Sequence, residues 1–435
     1  MATISTFFRL LLLISIVPAL VPQDSIFDVE LVHRDSPKSP LYNSSMTPFD
    51  RLQAAVVRSV NRASYLNERI TMKASIDIQL NLLYMDAEFM MRFSIGTPNL
   101  QYVWGIVDTG SDLSWVNCVD CQCFNKTAAL FNQSASLSYK KLSCISNECR
   151  SFSRGRCTDD QLCKYHYGYI DGSNINGIFS SETFSFTSLD TKQTTFIPNM
   201  LFGCNFWSLN TKVNDPGSVI GLSPRPLSLI HQLAPKYISK YFSYCLDEGV
   251  GSRLFLGRDK KMVTGKTTVT PLMTQDGYYV VQLNAILIPD EFNILITRKS
   301  KFRAGNIIFD SGTVMTLLDT QVVDQLVSAL TNYVSLPTVE MSHYKLCFTV
   351  LSTEQEEMLP GMWFSFDGTL GNFMVSPENL FRWSGRHVKC MMIVGTVGIQ
   401  IFGNIMQQDV LVGHDLDKME LTIIEKKCSE LYKLK

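Results

Sequence analysis

From Ile78 onward, short runs of apolar and β-branched residues alternate with clusters of Gly, Asn, Asp and Ser. This pattern predicts short strands joined by turns. Helical periodicity is rare and predicts helices at residues 227–233, at residues 321–333 after a capping Asp319 or Thr320, and at residues 377–381. The sequence therefore predicts a mainly β protein with a few short helices. The clearest strand runs are residues 89–95, 183–187, 254–256, 278–288 and 419–424.

The N-terminal region has a different pattern. Arg9 precedes a short apolar run at residues 10–17, which is typical of a secretory signal peptide, and we expect this peptide to cover residues 1–22. The apolar run is about half the ~20 residues that a bilayer-spanning helix needs. A retained signal-anchor is the alternative interpretation.

Residues 23–77 contain no cysteine and one amphipathic helix. Thr47 can cap this helix and Pro48 suits its first turn. Its apolar face continues to about residue 66 and includes Phe49, Leu52, Val56 and Val60. We interpret residues 23–77 as a removable pro-segment, with a small N-terminal subdomain that stays attached as the alternative.

An internal repeat indicates two related lobes. Residues 105–111 read Gly-Ile-Val-Asp-Thr-Gly-Ser, and residues 306–313 read Asn-Ile-Ile-Phe-Asp-Ser-Gly-Thr. In each half, two apolar residues and a glycine follow downstream, ending at Gly221 and Gly403. We therefore expect an N-terminal lobe at residues 78–250 and a C-terminal lobe at residues 251–435.

Each repeat places one aspartate where a buried strand ends and the backbone turns sharply. These residues are Asp108 and Asp310, and the glycines that permit the turns are Gly110 and Gly312. Neighbouring hydroxyl groups can donate hydrogen bonds to the two carboxyl groups. These hydroxyls belong to Thr109, Ser111, Ser311 and Thr313.

Composition and charge exclude several classes of protein. The chain has 435 residues, of which 46% are apolar, enough for two cored domains. With 39 Lys and Arg against 40 Asp and Glu, its formal net charge of −1 provides no field to hold nucleic acid. The polar C-terminus carries no lipid-anchor tail. We therefore expect no membrane association once the signal peptide is removed.

The 12 cysteines indicate an oxidising compartment. They form two groups with odd numbers of members, so complete pairing requires at least one disulfide between the groups. A zinc site at residues 118–149 is the alternative, but no histidine lies in the cysteine-rich insertion. One group lies in the insertion, residues 118–163, and comprises Cys118, Cys121, Cys123, Cys144, Cys149, Cys157 and Cys163; the other comprises Cys204, Cys245, Cys347, Cys390 and Cys428.

Two further expectations concern the lobe surfaces and cores. Cys347 and Cys390 are a plausible disulfide within the second lobe. Asn125 and Asn132 begin glycosylation sequons in the insertion, whereas the sequon at Asn43 belongs to the pro-segment.

Together, these residues resemble the pepsin-like aspartic proteases, and within them the secreted plant branch that includes nepenthesins and the constitutive-disease-resistance type. The resemblance covers nearly the whole chain and implies a bilobal pepsin-like double β-barrel with an interlobe β-sheet. It also implies six disulfides. The motifs that carry it are residues 28–37, 94–98, 108–115, 242–246, 310–313 and 401–404.

The resemblance implies that Asp108 and Asp310 are a catalytic pair. Two carboxyl groups that share one proton cannot both ionise, so one acts as base and the other as acid on a water held between them. Such an enzyme hydrolyses protein or peptide substrates at acidic pH, and it needs neither metal nor cofactor. We expect a monomer secreted to the apoplast, with the vacuole as the alternative destination.

The family also closes a β-hairpin flap over the cleft. The matching stretch, residues 167–173, makes Tyr169 the expected flap residue, with Tyr167 as the other register and Trp115 as the hydrogen-bond partner. Ile170 stands where relatives usually have glycine, which implies a bulkier and stiffer flap tip.

Two other functions fit parts of the sequence. A catalytically inactive pepsin-fold protein that binds a partner, as the plant xylanase inhibitors do, generally lacks one of the two aspartate motifs, whereas both are intact here. A glycoside hydrolase also uses two carboxylates but has no reason to carry the repeated turn motif.

Overall fold

The computed structural model describes residues 26–72, 88–122, 130–152, 155–168, 174–187, 192–209, 218–249, 251–259, 265–296, 302, 305–368 and 370–433. Strands dominate this part of the chain, which confirms the mainly β prediction. No helix within these ranges is long and apolar enough to cross a membrane.

The strands that precede residue 260 are β1 Phe27–His33, β2 Phe89–Ile95, β3 Gln101–Asp108, β4 Trp115–Gln122, β5 Lys140–Lys141, β6 Gly155–Cys157, β7 Cys163–Gly168, β8 Asn174–Thr187, β9 Thr194–Leu209, β10 Ser218–Gly221, β11 Tyr241–Cys245 and β12 Arg253–Leu256. The strands that follow are β13 Thr267–Pro271, β14 Met273–Gln275, β15 Tyr278–Val281, β16 Leu283–Ile288, β17 Phe292–Leu295, β18 Ile307–Phe309, β19 Thr316–Asp319, β20 Cys347–Thr349, β21 Met362–Phe366, β22 Asn372–Val375, β23 Phe381–Gly385, β24 Val388–Met391, β25 Ile393–Thr396, β26 Gln400–Phe402, β27 Leu411–Asp415 and β28 Glu420–Ile424.

The helices are short apart from α1 and α4. They are α1 Pro48–Met72, α2 Asn147–Ser151, α3 Leu229–Leu233, α4 Thr320–Tyr333, α5 Thr353–Glu357 and α6 Pro377–Leu380. Short 3₁₀ helices cover Gln133–Ala135, Asn404–Gln407 and Cys428–Lys433.

The largest sheet joins strands from distant parts of the chain. Its order runs β13-β28-β27-β11-β12-β1-β2-β3-β10-β4-β9-β8-β7-β6, with β5 paired to β8. Strand β1 lies inside this sheet, antiparallel to both β12 and β2. The predicted pro-segment therefore supplies an internal strand in addition to a helix. Local patterning did not predict β1, because its partner β12 lies more than two hundred positions away along the chain.

The second lobe repeats the strand pairing that positions the first aspartate. In the first lobe, β3 is parallel to β10, with Asp108 opposite Gly221. In the second lobe, β18 is parallel to β26, with Phe309 opposite Phe402. The second-lobe sheet has the order β14-β15-β18-β26-β19-β25, and two smaller sheets, β17-β16-β21-β22 and β20-β24-β23, complete the lobe.

Helix α1 begins with the predicted cap. The backbone N–H of Asp50 donates to Thr47 Oγ1, and the backbone N–H of Thr47 donates to Asp50 Oδ2 at 2.9 Å. Val56 is completely buried and packs in a core cluster with Val314, Met315 and other second-lobe residues. The predicted pro-segment helix therefore lies against the second lobe.

The predicted helices at residues 227–233 and 377–381 agree with α3 and α6 within two residues, whereas the strand predicted at residues 183–187 is the end of the longer β8, which starts at Asn174. Helix α4 is capped by Asp319, whose side chain accepts a hydrogen bond from the backbone N–H of Gln321. The run at residues 278–288 is divided into two strands, because β15 ends at Val281 and β16 starts at Leu283.

Five disulfides connect described residues. Cys118–Cys204 joins the cysteine-rich insertion to the other cysteine group, and Cys347–Cys390 is formed as predicted. Cys121 is also disulfide-bonded, whereas Cys123 lies outside the described residues. The remaining pairs are Cys144–Cys157, Cys149–Cys163 and Cys245–Cys428.

Candidate active site

Asp108 and Asp310 lie at equivalent positions in the two lobes. Asp108 is the last residue of β3, and Asp310 follows β18 directly, with its backbone N–H donating to the carbonyl of Phe402 at 3.2 Å. Both residues are buried, with 3% and 1% of their surface exposed. The turns that follow β3 and β18 contact each other, so the two copies of the sequence repeat form a pair of facing turns.

Matching hydrogen bonds hold the two carboxylates. In the first lobe, Gly110 N–H donates to Asp108 Oδ1 at 2.9 Å, and the hydroxyl of Ser111 donates to Oδ2. In the second lobe, Gly312 N–H donates to Asp310 Oδ1 at 3.2 Å, and the hydroxyl of Thr313 donates to Oδ2 at 2.5 Å. The turn residues therefore orient both carboxylates.

The two turns are also connected directly. Ser311 N–H donates to Thr109 Oγ1 at 3.1 Å, and the Thr109 hydroxyl lies 3.2 Å from Asp310 Oδ1. The hydroxyls of Thr109 and Ser311 are 3.3 Å apart. Contacts that cross from one lobe to the other keep the two aspartates in register.

Arg62 of helix α1 occupies the space between the carboxylates. Its Nη2 lies 2.7 Å from Asp108 Oδ1 and 3.1 Å from Asp310 Oδ1, and its Nε lies 2.8 Å from Asp310 Oδ2. One atom thus contacts both aspartates. Only 3% of Arg62 is exposed.

The charges in this cluster depend on one another. Burial alone favours the neutral form of Asp310, but the charge and hydrogen bonds of Arg62, with those of Thr313 and Gly312, outweigh it and lower its pKa. Burial likewise opposes the charge on Arg62, yet the two carboxylates raise the pKa of its guanidinium. Arg62 therefore stays charged and lies as a fixed cation between the two carboxylates.

Glycine at both turns allows this close approach. A Cβ atom added to Gly110 or to Gly312 would lie 2.7 Å from Arg62 Nη2. Any larger side chain would therefore displace the guanidinium from the carboxylates.

A second residue of α1 binds the turn beside Asp310. The hydroxyl oxygen of Ser59 accepts hydrogen bonds from the backbone N–H groups of Val314 and Met315, both at 3.1 Å, and donates to the carbonyl of Ala55. Ser59 and Arg62 are three residues apart, so they share one helical face. This face covers the aspartates.

The sequence analysis did not identify Arg62 or Ser59 as site residues. The available signal was a polar residue on the buried face of an amphipathic helix: Ala55, Val56, Ser59 and Arg62 follow helical spacing. A charged residue at such a position needs a buried partner of opposite charge.

The predicted flap lies partly outside the described residues. Trp115 is completely buried, and its indole Nε1 has no hydrogen-bond partner within the part of the chain that the structure describes. Tyr169 and Ile170 lie outside those residues, so the predicted bond between Trp115 and Tyr169 stays a prediction. Of the predicted glycosylation positions, Asn132 is exposed and Asn125 lies outside the described ranges.

One group of described residues has the spacing for a metal ion, away from the aspartates. His33, Asp35 and Glu88 offer ligand atoms within 4.8 Å of one another. Arg58 Nε already donates to Glu88 at 2.7 Å, so this carboxylate is paired with a cation from the protein. The group is better described as a half-buried contact between the predicted pro-segment and the first lobe.

Known proteins match along most of the chain. Residues 89–258 match the family described as xylanase inhibitor N-terminal, and residues 278–424 match the family described as xylanase inhibitor C-terminal. Basic 7S globulin from soybean has the same fold, with a TM-score of 0.62 at 20% identity over 78% of this chain and 93% of that one. This likeness supports the predicted bilobal architecture.

Two curated relatives identify the branch of the family. A probable aspartic protease of Arabidopsis thaliana is 35% identical over 442 residues, which cover 93% of this chain and 94% of the relative. Aspartic proteinase nepenthesin-1 of Nepenthes gracilis is 31% identical over 420 residues, which cover 92% and 90% of the two chains. With its paired aspartates on repeated turns, this chain belongs to the plant pepsin-like aspartic proteases.

Proposed function

We propose that the chain is the inactive precursor of a secreted aspartic endopeptidase that works at acidic pH. The observation that supports this most strongly is the position of Arg62 Nη2, within hydrogen-bond distance of Asp108 and Asp310 at once. Two carboxylates that can contact a common atom can hold a common water. The hydrogen bonds that orient them are complete in both lobes.

The reaction would follow from removal of α1. A water molecule takes the place of Arg62 Nη2, and one proton is shared by the two carboxylates. The ionised carboxylate accepts a proton from the water while the water oxygen bonds to the scissile carbonyl carbon. The protonated carboxyl group donates its proton to the carbonyl oxygen. The C–N bond of the tetrahedral intermediate then breaks as the nitrogen takes the proton that the first carboxylate received from the water. A hydroxyl group of the intermediate returns its proton to the second carboxylate as the new carboxyl group forms, which restores the pair. The pair titrates as a unit, so neither residue is assigned the proton at rest.

Residues 23–77 act as an inhibitory pro-segment in this proposal. Arg62 neutralises the aspartates, and Ser59 occupies the backbone donors beside Asp310. The buried pairs Arg58–Glu88 and Asp28–Arg253 hold the segment elsewhere. Export through the signal peptide agrees with the oxidised cysteines, and the apoplast is the proposed destination.

An inactive, partner-binding protein is the second candidate, because the matching families are described as xylanase inhibitors. The intact aspartates, each with its glycine N–H and hydroxyl donors, favour an enzyme over this alternative.

The test is digestion of an unfolded protein at about pH 3–5 by acid-treated material, with and without pepstatin. We expect cleavage that pepstatin blocks and that falls about a thousand-fold or more in Asp108→Asn. Asp324→Asn, at an exposed position on α4, is the matched control and should retain activity. Cleavage that persists in Asp108→Asn, or that resists pepstatin, would contradict the proposal.

A further inference from the structure

The carbonyl groups of the two candidate catalytic aspartates are held in different ways. In the first lobe, the chain continues from Gly221 so that the backbone N–H of Leu222 donates to the carbonyl of Asp108 at 2.9 Å. In the second lobe, the chain after Gly403 enters the 3₁₀ turn Asn404–Gln407, and the backbone N–H of Asn404 donates to Thr313 instead. The repeat is therefore broken directly behind Asp310.

A side chain takes over this position in the second lobe. Gln407 Nε2 lies 3.3 Å from the carbonyl oxygen of Asp310 and 2.8 Å from that of Phe402. Phe402 O also accepts the backbone N–H of Asp310. The Gln407 side-chain amide thus joins Phe402, the last residue of β26, to Asp310, which follows β18. Gln407 is completely buried, so water does not compete for these bonds.

Gln407 is itself oriented by a residue from outside the second lobe. The hydroxyl of Tyr244, on β11, donates to Gln407 Oε1 at 2.5 Å. This bond decides which end of the amide carries the oxygen, so the NH₂ group must face Asp310 and Phe402. Burial raises the pKa of Tyr244 well above its ordinary value, so its hydroxyl remains a donor throughout the acidic range.

We propose that Gln407 is a positioning residue for Asp310 and that Tyr244 sets the orientation of the Gln407 amide. Together they hold the backbone carbonyl of Asp310, as the backbone N–H of Leu222 holds that of Asp108. The inference rests on the proposed peptidase function. It assigns catalytic consequences to two buried residues that do not touch the carboxylates.

The variants are chosen to separate positioning from folding. Gln407→Met keeps the approximate volume but removes both donors, and Tyr244→Phe removes only the hydroxyl that orients the amide. Gln407→Glu is the conservative variant, because its protonated form can still donate one hydrogen bond and accept one from Tyr244. Tyr241→Phe is the matched control: it lies on the same strand and is buried, and its hydroxyl contacts Thr422 and Ser243 instead.

The experiment measures kcat, KM and the pH profile of acid-activated enzyme, with active sites counted by pepstatin titration so that misfolded protein does not contribute. We expect kcat per active site to fall about 10- to 100-fold in Gln407→Met while KM changes little, since small displacements of a reacting group have effects of this size. Tyr244→Phe should show a smaller fall, and Tyr241→Phe should match the wild type. Gln407→Glu should approach wild-type kcat at low pH and lose it as pH rises, because the ionised carboxylate faces two carbonyl oxygens.

Wild-type kcat and an unchanged pH profile in Gln407→Met overturn this inference alone. If Gln407→Met does not fold, Gln407→Glu decides, because a pH profile identical to that of the wild type also overturns it. A wild-type protein without pepstatin-sensitive cleavage overturns the proposed function and this inference together.

Discussion

Arg62 places a permanent positive charge where the proposed mechanism needs a neutral water. Its guanidinium contacts both aspartates in a buried site. The low pKa of Asp310 means that its stabilising pair with Arg62 is present above the usual carboxylate pKa and is lost only as pH falls through the lowered value. Acid is therefore the natural condition for releasing the helix.

Replacing Arg62 should activate the precursor. In full-length Arg62→Met, we expect the free energy that holds the pro-segment on the lobes to fall by about 3–5 kcal/mol, because one partner of a buried ion pair is removed. This variant should cleave peptides at mildly acidic pH, where the wild-type precursor does not. Arg51→Met is the control, because Arg51 contacts other groups of the pro-segment, the carbonyl of Asn43 and the ring of Tyr42.

A fluorogenic peptide assay on both precursors, before any chain cleavage is visible on a gel, measures this effect. Equal latency of the Arg62→Met and wild-type precursors would show that Arg62 does not inhibit the site.

His414 links the stability of the sheet to pH. It is completely buried, stacks on Phe242 with ring centroids 4.5 Å apart, and neither ring nitrogen has a hydrogen-bond partner among the described residues. Burial lowers the pKa of His414 to about 3 from an ordinary value of 6.5. Between these values the unfolded chain binds a proton that the folded chain does not, so stability falls as pH decreases.

His414→Phe should therefore stabilise the protein in acid. A shift of this size corresponds to about 4–5 kcal/mol at most, and we expect Tm to rise at pH 4 much more than at pH 7.5. Thermal unfolding at the two pH values provides the measurement, with His166→Phe at an exposed position as control. A Tm change that is the same at both pH values would contradict this account.

At the scale of elements, the pro-segment is held at three separate places. Strand β1 pairs with β12 and β2, α1 covers the aspartates, and Arg58 of α1 binds Glu88 just before β2. Glu88 is 1% exposed, so its negative charge depends on positively charged side chains such as that of Arg58.

Neutralising Glu88 should loosen this attachment. Glu88→Gln preserves the shape of the side chain but removes the negative charge beside Arg58, so the ion pair between α1 and the residue before β2 is lost. We expect conversion of the precursor at a higher pH than in the wild type. Gel analysis of conversion against pH measures it, and Glu30→Gln, at the exposed pair with Lys38, should behave as the wild type does.

The sequence predicted those elements whose information is local. The cap of α1 at Thr47, the strand Phe89–Ile95 and the cap of α4 at Asp319 depend on neighbouring residues, and the structure agrees with each. The facing aspartates followed from the repeat. Strand β1, Arg62 and the bond from Tyr244 to Gln407 depend on partners far away in the chain, which periodicity cannot identify.

At the scale of the whole molecule, the disulfide Cys245–Cys428 connects the middle of the chain to its end. It closes a separation of 183 residues, and both cysteines are completely buried. Cys245 follows Tyr244 on β11, so this link also fixes the strand that orients Gln407.

Removing this link should destabilise the precursor strongly. We expect Cys245→Ser with Cys428→Ser to lower the free energy of unfolding by about 2–5 kcal/mol, since longer loops lose more on closure. The Cys144–Cys157 disulfide closes a separation of only 13 residues, so Cys144→Ser with Cys157→Ser should have a smaller effect. Urea unfolding of both double variants measures the two losses in free energy of unfolding. A larger loss in the Cys144 and Cys157 variant would contradict the expectation.

The internal position of β1 has a consequence for the life of the molecule. If the pro-segment is removed after folding, as we propose, a strand is withdrawn from between β12 and β2 rather than peeled from an edge. The polypeptide that first assembles the sheet and the polypeptide that performs catalysis are then chemically different. After denaturation, the shortened chain lacks the strand that lay between β12 and β2 during folding. The mature enzyme is therefore expected to unfold irreversibly and to refold poorly.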